Sequence, residues 1–404
     1  MKYPFSPEIL DAMPEKLAEL YRELEVTLLE EISDQLVLAG KSNTVTIQNI
    51  QALRSHGIPL DEIKKAIQQT TKVSSTELNK LFEDVIAKNQ EYYTKAITLA
   101  DITVPEALVT AETIAAVIEQ THDEINNINR SMGFLVDNGR TMLPPAKAYQ
   151  WALDNATMQI ASGAVSYNKA IANATRQLAN SGLKVISFDD GYTDRIVEYE
   201  SGHIDHADVA VRRAVMTGIN QVNRQYDEAA MRELKTDLVE VSAHAGARDK
   251  GAGFENHKSW QGKIYRWAKY TKLYPGASEG KYKDFEETCG LGDVQGILGA
   301  NCRHSYHAFI EGVMEPTYTE EQLQNIDPPD FEYEGKNYTH YEATQKQREI
   351  ERTIRKWKRV KAAATTPEDK QAAEIRIRRL NEKYNEFSEA ADLRKQSERM
   401  RVYA

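Results

Sequence analysis

Glycine is spread unevenly along this chain of 404 residues, and its distribution limits what each part can fold into. Of the 21 glycines, 11 lie between Gly246 and Gly312. Because glycine accepts positive φ angles and weakens helices, this span is predicted to consist of loops and tight turns. The parts of the chain on either side have fewer glycines, so regular helices and strands are expected there.

The chain up to Gly182 has the apolar spacing of helices. One apolar stripe recurs every three or four residues from Leu17 to Leu36, which is the period of an amphipathic helix. Ser74 is followed three residues later by Glu77, and this capping-box spacing predicts a helix that begins at Ser74. Helices of this kind need a surface on which to bury their apolar faces.

After Gly182 the pattern changes to short runs of β-branched and aromatic residues. The runs at 184–188 and 195–199 are separated by residues that favour turns, so they are predicted to be neighbouring strands. Apolar spacing over 209–229 predicts a long helix, and 238–242 reads as another strand. The order strand, strand, helix, strand is typical of an α+β core.

The end of the chain returns to helical spacing. Thr366 precedes Pro367, which places a capping residue before proline at the first helical position. Apolar residues from Ala373 to Ala391 then alternate steps of four and three, the spacing of a coiled-coil seam. An earlier helical arm, from Ile350 to Val360, can fold against this helix as a hairpin or dock on another subunit.

The fold class that follows is α+β. It consists of a mainly helical N-terminal part, a small α+β core with a loop-rich region, and a helical basic C-terminal tail. The predicted division is 1–182 for the helical region, 183–315 for the core, 316–340 for a linker and 341–404 for the tail.

Charge separates the tail from the rest of the chain. Residues 341–404 hold 17 Lys and Arg against 11 Asp and Glu, whereas residues 1–340 hold 34 against 50. The tail could therefore contact DNA phosphates or an acidic partner, while a general nucleic-acid coat is not expected from a net charge of −10. The alternative is a solvated coiled coil whose charges only set its register. The candidate contact residues are Arg348, Arg352, Arg355, Lys356, Lys358 and Arg359.

Two classes of protein are not expected. No apolar run reaches the roughly 18 residues needed to span a bilayer, and no apolar signal core follows Met1, so neither membrane insertion nor secretion by a signal peptide is expected. The two cysteines, Cys289 and Cys302, are too few for a disulfide scaffold and fit a reducing compartment.

Histidine, glycine and charged residues gather in three segments, 242–248, 256–265 and 299–305. Nitrogen and sulfur side chains in these segments could hold zinc, with Cys289 and His307 in reserve. A Cys-x-His spacing, however, is shorter than the usual gap between zinc ligands. The candidate metal ligands are His244, His257, Cys302 and His304.

A second interpretation of the same residues needs no metal, and we favour it. In a loop-rich core His244 and His304 can donate and accept hydrogen bonds with backbone groups that have no partner in a sheet. We interpret Arg248 and Arg303 as residues that hold loops together through bidentate hydrogen bonds, and the alternative is that they bind an anion. No nucleophile elbow, phosphate loop, dinucleotide fingerprint or His-Glu-x-x-His motif is present. An enzyme is therefore not indicated.

Residues 209–310 resemble the phage minor capsid protein 2 family, which is related to the Mu protein F-like minor head proteins. The resemblance rests on ordered segments at 211–218, 241–248, 257–263 and 299–305. This sequence has Asp249 where the family has proline, and residues 250–256 are inserted before His257. The motif residues are Arg248, Trp260, Gln261, Gly262, Lys263, Asn301 and Arg303.

The resemblance implies a structural component of a tailed phage or prophage. Such a protein would be made in the host cytoplasm and assembled at the portal vertex, where it would face the capsid interior and aid head assembly or DNA packaging and ejection. Its partners would be the portal protein, other capsid subunits and, through the basic tail, packaged DNA. No catalysis or cofactor is implied. The alternative is a metal-dependent nuclease or a virion-delivered effector that uses the His/Cys cluster with zinc.

Overall fold

The structure is a computed structural model that describes residues 3–40, 60–161, 165–185, 204–274, 281–299 and 302–402. The α-helices are α1 (Pro7–Ala12), α2 (Glu15–Gly40), α3 (Leu60–Leu99), α4 (Ala111–Ser131), α5 (Pro145–Ala161), α6 (Tyr167–Ser181), α7 (Ala207–Glu233), α8 (His257–Trp260), α9 (Ala268–Thr271), α10 (Phe285–Cys289), α11 (Glu320–Gln324), α12 (His340–Ala362) and α13 (Pro367–Ala390). The strands are β1 (Met132–Val136), β2 (Thr141–Leu143), β3 (Leu183–Val185), β4 (Asp205–His206), β5 (Leu238–Val241), β6 (Ile264–Arg266), β7 (Tyr306–Phe309), β8 (Phe331–Tyr333) and β9 (Lys336–Tyr338).

Four long helices, α2, α3, α4 and α7, pack together and bury their apolar faces in one hydrophobic core. The stripe predicted from Leu17 to Leu36 is the buried face of α2. The predicted helix start at Ser74 is wrong, because α3 continues through this position without a break. The Ser74 hydroxyl donates backwards to the carbonyl of Thr71 at 2.9 Å, and the apolar stripe continues with the buried Leu78.

A four-stranded antiparallel sheet in the order β2-β1-β3-β4 packs mainly against α5, α6 and α7. Strands β1 and β2 lie within residues 1–182, the region predicted to be mainly helical. Strand β3 begins one residue before the first run predicted as a strand, at 184–188. The second predicted strand, 195–199, lies outside the described residues.

A three-stranded antiparallel sheet in the order β6-β5-β7 carries the loop-rich centre. All four residues of β5 and of β7 are buried. The predicted helix over 209–229 is the middle of α7, and the predicted strand over 238–242 is β5 with one further residue. Because β5 and β7 are neighbours, the loops that leave them lie side by side.

Helices α12 and α13 form an antiparallel hairpin with a small apolar core of its own. Thr366 caps α13 as predicted, since its hydroxyl accepts a hydrogen bond from the Asp369 N–H at 3.2 Å. The side-chain amide of Gln347 donates to the Ser388 hydroxyl at 3.0 Å across the hairpin. The segment 316–340, predicted to be a linker, contains α11 and the β8–β9 hairpin.

The predicted fold class is confirmed, because the described chain is mainly helical and its sheets are small and antiparallel. None of the described helices combines the length and the apolar character needed to cross a bilayer.

Candidate functional site

The candidate site lies where the loops after β5 and before β7 leave the three-stranded sheet. The sheet pairing continues one residue beyond the strands, because the Ser242 N–H donates to the Ser305 carbonyl at 2.9 Å. The Ser305 N–H donates to the Ser242 hydroxyl, also at 2.9 Å. This pairing brings His244 and His304 together, with ring centroids 4.4 Å apart.

Gln261 joins the two loops through its side-chain carbonyl. Its Oε1 accepts from the His244 N–H at 3.1 Å and from His304 Nε2 at 3.0 Å. Gly262 follows with a φ of 70°, and a Cβ at this position would lie 2.3 Å from a methyl carbon of Leu323. Glycine is therefore required for the turn that aims Gln261 at the histidines.

The short helix α8 supplies the third histidine. His257 Nε2 donates to the Gln295 carbonyl at 2.8 Å, and the Arg248 guanidinium donates to the same oxygen at 3.2 Å. Trp260, also on α8, packs its ring 4.6 Å from His257 and 4.8 Å from His304. Its indole N–H donates to a backbone carbonyl, so Trp260 packs in the core with its polar atom satisfied.

Cys302 completes the cluster. Its Sγ lies 3.6 Å from His304 Nδ1. The potential ligand atoms of His257, Cys302 and His304 all lie within 4.8 Å of one another. His244 lies beside this group but is not one of its three members. The structure therefore brings together three of the four side chains predicted as metal ligands, with the fourth adjacent.

Burial controls the protonation of the cluster. Burial, together with the charge of Arg303, lowers the pKa of His244 to about 3. Burial also lowers the pKa of His304 well below its ordinary value and lowers that of His257 to a smaller extent. Burial raises the pKa of the Cys302 thiol to about 11. The three imidazoles are thus neutral near neutral pH, and they interact as hydrogen-bonding groups.

The remaining motif residues have structural contacts. Arg303 donates to the Gly246 carbonyl at 3.3 Å and lies 3.2 Å from His244 Nδ1, so it joins the loop before β7 to the loop after β5. Lys263 donates to the Ser259 carbonyl at 2.7 Å, which closes the turn after α8. Asn301 lies outside the described residues. The reserve ligands are not in the cluster, because His307 pairs with Glu240 at 3.2 Å and Cys289 belongs to the buried face of α10.

Several contributors to the site carry no signal in the sequence. Asp327 accepts from the Gly246 N–H at 2.7 Å and pairs with Lys258 at 2.6 Å, which fastens the centre to the segment after α11. The carbonyl of Phe5 accepts from the Ser305 hydroxyl at 3.3 Å. These contacts span 81 and 300 residues of sequence, so no local pattern could have indicated them.

The tail cations divide into two groups. Arg355 donates to the Arg399 carbonyl at 2.9 Å, Lys358 to the Met400 carbonyl at 2.5 Å and Arg359 to the Ala179 carbonyl at 3.1 Å. Arg359 also pairs with Glu25 at 3.4 Å. Burial and the charge of Arg399 lower the pKa of Arg348 to about 10. These four predicted contact residues point into the fold, whereas Arg352 and Lys356 are exposed.

Comparison with known proteins identifies the family. The chain matches the family described as Phage minor capsid protein 2 over residues 5–389. A protein of Lactococcus phage LL-H named "Structural protein" is 24% identical over 308 residues, which cover 75% of this chain and 70% of that protein. No solved structure matches the chain. The match spans nearly the whole described chain, and the chain therefore belongs to the phage minor capsid protein 2 family and is a structural protein of a phage or prophage.

Proposed function

We propose that the chain is a minor head protein that sits at the portal vertex of a tailed phage or prophage, facing the capsid interior. In this position it aids head assembly or the packaging and ejection of DNA. The observation that carries the proposal is the family match over residues 5–389. The protein is made in the host cytoplasm and then incorporated into the virion, with the portal protein and other capsid subunits as its partners.

The way in which the tail is attached supports a rigid assembly role. Asp11 on α1 pairs with Arg212 on α7 at 2.6 Å and also with Arg399 after α13. Burial raises the pKa of the Asp11 carboxyl, but the charges of Arg399 and Arg212 outweigh burial and lower this pKa to about 2. Ion pairs of Asp11 therefore connect the acidic part of the chain to the basic tail.

DNA contact by the tail depends on cations that are not already paired. Several exposed cations on the hairpin make no ion pair with another described residue, and we name four of them the outward cations: Arg352, Lys356, Arg378 and Arg379. The register that pairs Lys361 with Glu374 at 3.3 Å places Lys356 level with Arg379. The two helices therefore contribute to one basic strip, which suits contacts with DNA phosphates.

The test of the portal assignment uses the full chain. It is co-expressed with the portal protein of the phage or prophage that encodes it, and the complex is purified and imaged. We expect co-purification and additional density on the capsid-facing side of the portal ring. Failure to co-purify, together with density elsewhere on assembled heads, would contradict the assignment to the portal vertex.

The test of DNA contact replaces the outward cations with glutamine. Each phosphate that a cation no longer neutralises lowers the slope of log affinity against log salt by about 0.9, so the slope should fall by up to about 3.6 in the variant. A matched control replaces four exposed lysines of α3 and makes the same change in net charge. An equal fall in both variants would show that only net charge matters. The control residues are Lys64, Lys65, Lys72 and Lys80.

The nuclease or effector alternative lacks a supporting contact. Within the described part of the chain, the group with metal-ligand spacing contains two histidines and one cysteine and no carboxylate. Plasmid cleavage that needs a metal and is lost in both His244→Ala and His257→Ala would nevertheless establish it.

A further inference from the structure

We infer that His257, Cys302 and His304 bind a zinc ion that joins α8 to the loop before β7. The inference is independent of the proposed role at the portal. It rests on the spacing of the three side chains, on which ring nitrogen of each histidine carries the lone pair, and on the chemical type of the ligands.

The spacing fits tetrahedral zinc. With Zn–S and Zn–N bonds of about 2.3 and 2.05 Å and a tetrahedral angle, a sulfur and a nitrogen ligand lie about 3.6 Å apart. Cys302 Sγ and His304 Nδ1 are 3.6 Å apart. His257 belongs to the same group, whose ligand atoms lie within 4.8 Å of one another. An ion placed between these atoms needs only small side-chain movements.

The hydrogen bonds fix which ring nitrogen is free on His304. Gln261 Oε1 accepts from the backbone N–H of His244, which can only donate, so this atom is the amide oxygen. The same oxygen lies 3.0 Å from His304 Nε2, which must therefore carry the proton. The lone pair of His304 is on Nδ1, the nitrogen beside Cys302 Sγ.

The same reasoning applies to His257. Its Nε2 lies 2.8 Å from the Gln295 carbonyl, which can only accept, so Nε2 carries the proton and Nδ1 carries the lone pair. Histidines that bind metals usually donate their other ring N–H to a carbonyl or carboxylate oxygen. Both rings already have this outer contact, which fixes the tautomer of each ring.

The ligand set selects the metal. Two imidazoles and a thiolate favour zinc, whereas calcium and magnesium require oxygen ligands. Three protein ligands leave one tetrahedral position, which solvent water fills. Binding transfers the Cys302 thiol proton to solvent and forms the Zn–S bond, with no change in oxidation state.

The experiment measures metal content on the full chain purified with zinc and then dialysed. We expect close to one zinc per chain, and a near-complete loss of zinc in Cys302→Ser and in His257→Asn. Cys289→Ala is the matched control, since this cysteine is buried on α10 outside the group, and it should keep its zinc. Zinc absent from the unmodified chain, or retained in both ligand variants, would overturn the proposal.

A second measurement guards against ligand variants that fail to fold. A chelator is added to the unmodified chain, and thermal unfolding is followed before and after zinc is restored. The melting temperature should fall on removal and recover on addition. Replacement of zinc by cobalt should give the intense visible bands of a tetrahedral site and a sulfur-to-metal charge-transfer band. A melting temperature that does not respond would contradict a zinc ion that joins these elements, and cobalt spectra without the sulfur band would exclude Cys302 as a ligand.

Discussion

Gln261 offers a direct test of the idea that the histidine-rich centre braces loops. Its side chain is 2% exposed and its carbonyl accepts two hydrogen bonds, from His244 N–H and His304 Nε2. Gln261→Met keeps the length and nearly the volume of the side chain but removes this acceptor. The variant therefore isolates the hydrogen bonds from the packing.

The size of the effect follows from the hydrogen bonds. Each buried donor left without a partner costs about 1–3 kcal/mol, so two donors cost about 2–6 kcal/mol. Gln261 Nε2 is itself buried without a partner among the described residues, and its removal relieves about 1–3 kcal/mol. The free energy of unfolding should therefore fall by about 1–3 kcal/mol, as measured by urea denaturation at neutral pH.

The matched control is Gln295→Ala. The Gln295 side chain is exposed, while its backbone carbonyl, which accepts from His257, is unaffected by the substitution. Its free energy of unfolding should change by less than about 0.5 kcal/mol. If Gln261→Met is as mild as this control, the bracing interpretation is refuted.

Further predictions concern charge, packing and DNA. Burial raises the pKa of Asp227 well above its ordinary value, and Tyr93 donates to its carboxyl. A carboxyl whose folded pKa is raised loses its contribution to the stability of the folded chain as pH rises. Asp227→Asn should therefore raise the melting temperature at neutral pH and have little effect near pH 4, roughly the pKa of an unfolded Asp. A lower melting temperature of the variant at neutral pH would contradict this prediction. A Cβ on Gly218 would lie 2.3 Å from the Thr121 hydroxyl and 2.8 Å from the Phe82 ring. Gly218→Ala should therefore destabilise the chain by about 1–3 kcal/mol in denaturation experiments, although alanine has the higher helix propensity. Unchanged stability would show that α3 and α4 can move away from α7. Neutralising the outward cations should lower the salt dependence of DNA binding more than the α3 control does.

Local patterns predicted the elements whose periods are long and regular. The stripe from Leu17 to Leu36 and the cap at Thr366 were sufficient for α2 and α13. The helix start predicted at Ser74 was wrong because capping-box spacing also occurs inside helices, where the hydroxyl donates to a carbonyl of the preceding turn. Strand β1 was missed because it follows α4 directly, and its close approach to β2 depends on Gly133, whose Cβ would lie 2.5 Å from a carbonyl oxygen of β2.

The sequence indicated which residues gather at the candidate site, but it did not indicate which distant residues they contact. The motif segments contain the histidines, the cysteine and Gln261, so a cluster could be expected. The partners of Arg359 could not, because it contacts Glu25 across 334 residues of sequence. A count of charges shows that the tail is basic but cannot show which cations turn inward. Only the packing of α12 on α2 and α6 distinguishes Arg359 from the exposed Lys356.

The central claim is that this chain is a structural part of the phage particle. Quantitative mass spectrometry of purified virions tests it most directly, with the portal and major capsid proteins as internal standards. The account predicts that the chain is present at a copy number comparable to the portal protein and far below that of the major capsid protein. A chain abundant in infected cells but absent from purified particles would contradict the account.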